Sequence, residues 1–389
     1  MKHPVLKHPP MKHSTLKLYR YTIPLRKPFH VAKGEISERE GFILGDDHGI
    51  WSEIAPLPGF SSETIDDAGT FLTVNAERIH SAFRDRSLDR LLLDDTMQPE
   101  LSRLPSVRFG LSMLSEQQKA RTAQQPLYVY WRNLYYSPRN RRNRIVPVEG
   151  YVRCNALAGI MDIKSLNELI RYRQECGFRT AKVKIVADPD DAFAIIREIC
   201  PAFPEMVFRF DANRSFSLSE AEYLFQQLQN AQTRGDLPGN IAYIEEPLAD
   251  PDPGSLTQLQ AYGIPVAADE SVRSPADIHK LESSNSVKQL IIKPMLFGSF
   301  PELETAFRSK LAVTISSSIE TAIGRRLLAH IAAFCNMKGM IDHGLDTGSL
   351  LQMDFTSPES GPHIQLGDKT GLGFSPDCSH DWMVPVKKL

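Results

Sequence analysis

The sequence predicts an α/β protein with two parts: an α+β N-terminal capping domain followed by a modified (β/α)8 TIM-type barrel. Three observations carry this. Apolar, β-branched runs recur eight times, centred near residues 152, 183, 209, 243, 267, 291, 314 and 341. Their spacing of about 23 to 34 residues, with helical patterns in most gaps, is the period of strand–helix units in a closed barrel. Residues 16–54 instead alternate in polarity and carry turn residues, which reads as a small antiparallel sheet. Finally, 389 residues with 42% hydrophobic content exceed what a single core usually supports.

Residues 1–13 read as a disordered leader. MKHPVLKHPPMKHSTLK is basic, contains prolines and lacks the apolar centre of a signal peptide; Met11 is an alternative start. Its histidines, spaced five apart in a flexible tail, make no fixed metal site. The capping domain is assigned to 14–145. KLYRYTIPL, GFILGDD and IWSEIAP are its strands, and LRKPFHVAKGEISERE between the first two is long enough for a mobile loop. From Ser62 to about Tyr135 the pattern is helical, opened by Ser and acidic residues. The basic, proline-bounded stretch 138–147 reads as a linker and marks the boundary.

The barrel is assigned to 146–389. SLNELIRYRQECG is a helix closed by Gly177, and SLSEAEYLFQQLQ carries a capping box of Ser217 and Glu220. SPADIHKLE has Ser274 as N-cap with Pro275 at the first helical position. After the eighth run LDTGSLLQMDF is a weaker helical pattern, so the last unit is modified, as in a (β/α)7β arrangement.

Net charge is −2, so no basic field invites nucleic acid, and no run of 18 apolar residues invites membrane insertion. Five cysteines at wide spacings without C-x-x-C form neither a disulfide framework nor a zinc cluster. The expectation is a cytoplasmic protein with a small-molecule dicarboxylate substrate. Whether it is a monomer or a homo-oligomer is left open.

Six consecutive strands end in polar residues: Lys182 and Lys184, Asp211 and Asn213, Glu245 and Glu246, Asp269 and Glu270, Lys293, and Ser316 to Ser318. A barrel gathers strand ends into one ring, the face where barrel enzymes place their active sites. Asp211, Glu245 and Asp269 come from three adjacent strands. Three converging carboxylates repel unless a cation joins them. With no His or Cys beside them, a hard oxygen-liganded ion fits, Mg2+ by default with Mn2+ as alternative. The alternative is salt bridging by Lys184 and Lys293 without metal.

Lys184 and Lys293 face each other across this mouth. A lysine near other positive charge has a lowered pKa and can serve as a general base. Its natural substrate is a carbon acid beside a carboxylate, deprotonated to an enediolate that a divalent cation holds. Lys182, one pleat deeper, is a supporting charge. Ser316 and Ser317 precede a helix whose N-terminal N–H groups could receive a substrate carboxylate; Ser there is equally a plain N-cap.

KVK, DAN, EEP, DES and KP, in this order and spacing, resemble the enolase superfamily, muconate-lactonizing subgroup, over about residues 16–370. The resemblance implies Asp211, Glu245 and Asp269 as metal ligands and Lys184 and Lys293 as the catalytic pair. It implies substrate contacts at Lys182, Arg209, Asn213, Ser316 and Gly344. SEIAPLPGFSSET, LPSVRFG, RFDANRSF, YIEEPL, IIKPMLFGS, TISSSIET and GLDTGSLLQ resemble a dehydratase branch that aromatises a cyclohexadiene carboxylate. Departures are the N-terminal extension, the inserted 138–147 stretch, Phe216 in place of tryptophan, and Thr321-Ala322 in place of Ser-Ser. Rival expectations are a racemase or epimerase on the same residues, with the loops around 26–40 and 57–60 deciding; a Schiff-base aldolase; and a non-catalytic barrel.

Overall fold

The computed structural model describes residues 15–31, 34–135, 150–185, 188–356, 360–374, 376 and 380–388. The expected leader, the 145/146 boundary and the 138–147 stretch lie outside the described residues.

The N-terminal sheet holds β1 (Lys17–Val31), β2 (Gly34–Gly45) and β3 (Trp51–Ile54), all antiparallel. In β1, Tyr21, Ile23 and Leu25 are buried while Thr22 and Pro24 are not, the alternation of a one-sided strand. The β2–β3 turn is pinned by Asp46 Oδ1, which accepts from the His48 and Ile50 amides. A fourth strand that the polarity pattern does not predict, Met383–Lys388, returns from the C-terminus to pair with β1. Thr64 and Asp67 form a capping box that starts helix Ile65–Val74. Helix Pro105–Thr122 is buried along most of its length and packs on β3 and the barrel.

The barrel differs from expectation at its two ends. The first run splits: β4 (Tyr151–Arg153) pairs antiparallel with His363–Gln365, and only β5 (Ala156–Ala158) joins the barrel sheet. Beyond it come β6 (Thr180–Lys184), β7 (Val207–Asp211), β8 (Ile241–Glu245), β9 (Val266–Ala268), β10 (Gln289–Ile292) and β11 (Ala312–Ile315). These seven strands are parallel and lie in chain order. No eighth strand forms among the described residues. Two parallel bridges, His343 to Cys154 and Gly344 to Ser316, close the ring instead.

Backbone bonds hold this seam, from the His343 amide to the Arg153 carbonyl, Asn155 to His343, Gly344 to Ile315 and Ser317 to Gly344, and the His343 side chain reinforces it. Its Nδ1 accepts the Ile315 amide at 2.9 Å and its Nε2–H donates to Asn336 Oδ1 at 3.1 Å, so the imidazole stands in for a ladder partner. It is buried and neutral: burial, then the charges of Arg209 and Arg153, bring its pKa down to about 3. Burial likewise lowers His330 to about 3. Both folded values lie below the unfolded one near 6.5, so the unfolded chain binds the proton first. Stability is full above pH ~6.5 and falls with acid by about 2 kcal/mol per histidine at pH 5. Urea unfolding at pH 7.5 and 5 tests this. His343→Gln offers the same acceptor and donor without titrating and flattens the slope; an unchanged slope refutes the account.

Candidate active site

Strand parity builds the site. Lys184, Asp211 and Glu245 are aligned partners on β6, β7 and β8, and Lys182, Arg209 and Tyr243 are aligned one pleat deeper. Asp269 follows β9 and Lys293 follows β10, so both stand on the same rim. The intervening Val183, Phe210, Ile244, Ala268 and Ile292 are buried in hydrophobic packing. An apolar residue between two polar ones turns the polar pair to one face. At the mouth that face is the barrel interior.

Lys182 and Lys293 both make ion pairs there. Lys182 Nζ lies 2.9 Å from Asp211 Oδ2 and 2.7 Å from Glu245 Oε1. Lys293 Nζ is paired with Asp269 and stands 5.7 Å from the centre of the Phe60 ring. Phe60 belongs to the capping domain, so the loop around 57–60 does reach the mouth. Burial alone would lower Lys182, but Asp211, Glu245 and Asp269 outweigh it and hold its pKa well above the ordinary value. Lys184 is shifted the other way: burial, with the ammoniums of Lys182 and Lys293, lowers its pKa against the pull of Asp211. Two lysines on one strand face are thereby driven apart in acidity.

The carboxylates are similarly divided. Burial, with Asp211 and Asp269, pushes Glu245 well above its ordinary value despite Lys182. Burial would also raise Asp269, but Lys293 and Lys182 hold it well below the usual range. Glu245 Oε2 and Asp269 Oδ1 are buried without a hydrogen-bond partner. Among the described residues no three carboxylate, imidazole or thiol groups stand together as a ready-made cage; the lysine ammoniums are drawn between the carboxylates. Hard oxygen donors on successive strands, two of them orphaned, fit a divalent cation that would replace those ammonium contacts.

Glu246 belongs to the site although spacing singles out only its neighbour Glu245. It is buried, and its carboxylate accepts from the amides of Asp269 (2.8 Å) and Ser271 (2.5 Å) and from the Ser271 hydroxyl (2.9 Å). It therefore shapes the turn that presents Asp269. The doubled EE is the available signal. Asn213, Arg214 and Glu246 at the strand mouths all have left-handed backbones, with φ of 44°, 59° and 43°, and Ile319 has φ of 63°. Such residues cost about 1–3 kcal/mol each and gather at functional sites.

The remaining expected contacts are placed as follows. Asn213 Nδ2 donates to Glu270 Oε1 at 3.3 Å. Burial, then Asp269, raises Glu270 to about 7. Arg209 is buried below the mouth, bonded to Asn155 at 3.1 Å and 5.4 Å from the Tyr243 ring centre, a support from beneath. Gly344 leaves room for Ser316, since a Cβ there would come within 2.8 Å of Ser316 Oγ. The Ser317 hydroxyl donates to Glu320 at 2.5 Å and accepts from Thr347 at 2.8 Å, so it also braces the loop. The waiting helix N-terminus is a correction. The Thr321 and Gly324 amides bind Glu53 and the Ala322 amide binds Asp354, so the protein's own carboxylates fill that position. Phe216 is fully buried and bridges to Leu248, a packing role. None of the four described cysteines is in a disulfide, and among the described residues no helix is long and apolar enough to cross a membrane.

A capping sheet over a parallel barrel, with lysines and carboxylates ringed at its C-terminal mouth, defines an enolase-type enzyme. Residues 165–380 match the family model "Enolase C-terminal domain-like", and residues 13–118 match "MenC, N-terminal domain". An o-succinylbenzoate synthase from Yersinia pseudotuberculosis serotype O:1b (strain IP 31758) is 31% identical over 369 residues, covering 92% of this chain and 98% of the relative. Two solved structures share the fold. One is a substrate-liganded L-Ala-D/L-Glu epimerase from Bacillus subtilis, with TM-score 0.76 and 20% identity over 93% of this chain and 98% of that one. The other is a dipeptide epimerase from Enterococcus faecalis V583 complexed with Mg and L-Leu-L-Tyr, with TM-score 0.73 and 20% identity over 93% and 99%. The chain belongs to the o-succinylbenzoate synthase family of the enolase superfamily.

Proposed function

We propose that this enzyme is a dehydratase that converts 2-succinyl-6-hydroxy-2,4-cyclohexadiene-1-carboxylate to o-succinylbenzoate, a step of menaquinone biosynthesis. The observation that carries the chemistry is the unequal lysine pair. Lys184 is lowered in pKa at the mouth, and Lys293, across from it, is ion-paired with Asp269. The relative's 31% identity over nearly both whole lengths supports the choice of substrate.

In this reading Lys184 Nζ takes the proton from the carbon bearing the ring carboxylate. The electron pair of that C–H bond passes into the carboxylate as an enediolate. As it returns, the bond to the 6-hydroxyl breaks on the same face and Lys184 returns its proton to the leaving hydroxide. Water departs and the ring becomes aromatic. Lys293 stays charged on the opposite face, where a cation is attracted to the forming π system. Asp211, Glu245 and Asp269 would hold Mg2+, or Mn2+, which supplies positive charge to the carboxylate oxygens. Lys182 holds Asp211 and Glu245 in ion pairs with Arg209 beneath, and Asn213, Ser316 and Gly344 border the substrate.

The second reading is 1,1-proton transfer, as in an epimerase or racemase, in which both lysines exchange protons. The fold likeness to two epimerases favours it only as far as the fold. Purified protein with Mg2+ should generate the aromatic absorbance of o-succinylbenzoate from the cyclohexadiene. A protein inert to that substrate but active in racemising N-succinyl amino acids overturns the dehydratase reading. An imine trapped by borohydride would point to Schiff-base chemistry instead.

A further inference from the structure

Arg39 on β2 and Glu53 on β3 are buried capping-domain residues that also bond to the barrel, at the segment joining β11 to helix Ala322–Cys335 and at that helix's first turn. Arg39 Nε donates to the Ile319 carbonyl at 3.2 Å, while its Nη groups are anchored on the Pro56 and Ala55 carbonyls of its own domain. Glu53 accepts from the Thr321 hydroxyl at 2.6 Å, the Thr321 amide at 3.1 Å and the Gly324 amide at 2.9 Å. Tyr21 OH donates to it at 2.5 Å from β1. The absence of a Cβ at Gly324 admits this carboxylate, since one would stand 2.6 Å from Glu53 Oε2.

The two grips fall on either side of Glu320, and one of them holds Ile319 itself. A β-branched residue at φ 63° persists only where its surroundings over-determine it. Glu320 in turn accepts from the Ser317 hydroxyl and the Ser318 amide, which passes the grip back towards Ser316 on the rim.

We propose that Arg39 and Glu53 are positioning residues: seating of the capping domain sets the conformation of the 316–321 loop and thereby the substrate wall at Ser316. The inference rests on the proposed function in one respect, that Ser316 faces the substrate. It makes the loop's shape depend on the cap, so that substrate affinity is lost when the cap lets go.

Hydrogen exchange of the 316–324 amides and steady-state kinetics on the full chain test it. Glu53→Gln keeps the shape but removes the charge, and Arg39→Lys keeps the charge but loses the fork that spans two domains. In both, exchange across 316–324 speeds up by at least about tenfold while β6–β9 stay within about twofold. KM rises by about tenfold or more with kcat within about threefold, since no group of this loop touches the reacting atoms. Thr321→Ser retains the hydroxyl and the wild-type KM, whereas Thr321→Val raises KM severalfold, and this milder pair serves if Glu53→Gln does not fold. Unchanged exchange in 316–324, a fall in kcat at constant KM, or identical Thr321→Ser and Thr321→Val each overturns the proposal. A wild type inert to the cyclohexadiene would instead sink the functional reading, and the exchange arm stands without any substrate.

Discussion

Lys184→Ala abolishes turnover while leaving the fold intact. The expected loss in kcat is at least about 10^4-fold, the upper range for a group that acts first as base and then as acid. The melting temperature should barely move. Burial and two neighbouring ammoniums already disfavour the charge on Lys184, so its removal also relieves that cost. Lys293→Ala behaves differently. It also removes activity, but in the metal-free protein it strips Asp269 of its ion pair in a site where that carboxylate is 2% exposed. Breaking a buried pair from one side costs about 3–5 kcal/mol. Kinetics and thermal melts on both variants separate the roles. Lys184→Ala activity within tenfold of wild type would exclude Lys184 as the proton-transfer group. Equal destabilisation by the two substitutions would show that the charge assignment between the lysines is mistaken.

Chelation should likewise remove activity and spare the fold. Dialysis against EDTA is expected to reduce turnover by at least about 10^3-fold, with Mg2+ restoring it, because charge stabilisation at a reacting oxygen is commonly worth several kcal/mol. The melting temperature should fall by no more than a few degrees. Lys182 bridges Asp211 and Glu245, and Lys293 covers Asp269, so the carboxylates keep cationic partners when no metal is bound. Asp211→Asn should reproduce the activity loss and resist rescue by Mg2+. Full activity in metal-free protein would remove the cation from the reaction, and collapse of the fold on chelation would show that the lysines cannot neutralise the site.

Much of the rim is legible in the amino-acid sequence. Barrel strands have a period of two, so Lys182 and Lys184, or Asp211 and Arg209, can be assigned to one face from spacing alone. The rim position of Asp211, Glu245, Asp269 and Lys293 follows from each standing at the end of an apolar run. The assignment of ion pairs is not legible. The metal-free alternative names Lys184 and Lys293 as partners; Lys293 does pair with Asp269, but Lys182 pairs with Asp211 and Glu245 from one pleat below. That depends on side-chain reach and tilt across a curved sheet. The role of Glu246 is hidden because its partners, the amides of Asp269 and Ser271, sit on the next strand's turn. The helix N-terminus after β11 reads as open, because the carboxylate that fills it comes from β3, 268 residues away.

By itself, then, the sequence determined what repeats locally: the alternation of strand and helix, the capping boxes, and the polar rim that each strand contributes in turn. Those follow from side-chain periodicity and backbone hydrogen bonding within a few residues. Tertiary structure alone decided where distant segments meet. It brought Met383–Lys388 to β1, closed the barrel through backbone bridges at His343 and Gly344 with the His343 imidazole as reinforcement, and set Arg39 and Glu53 on the 316–321 loop. A chain carries no local signal for which buried donor will meet which acceptor hundreds of positions away. Only simultaneous packing and the cost of leaving any of them unpaired select the partners.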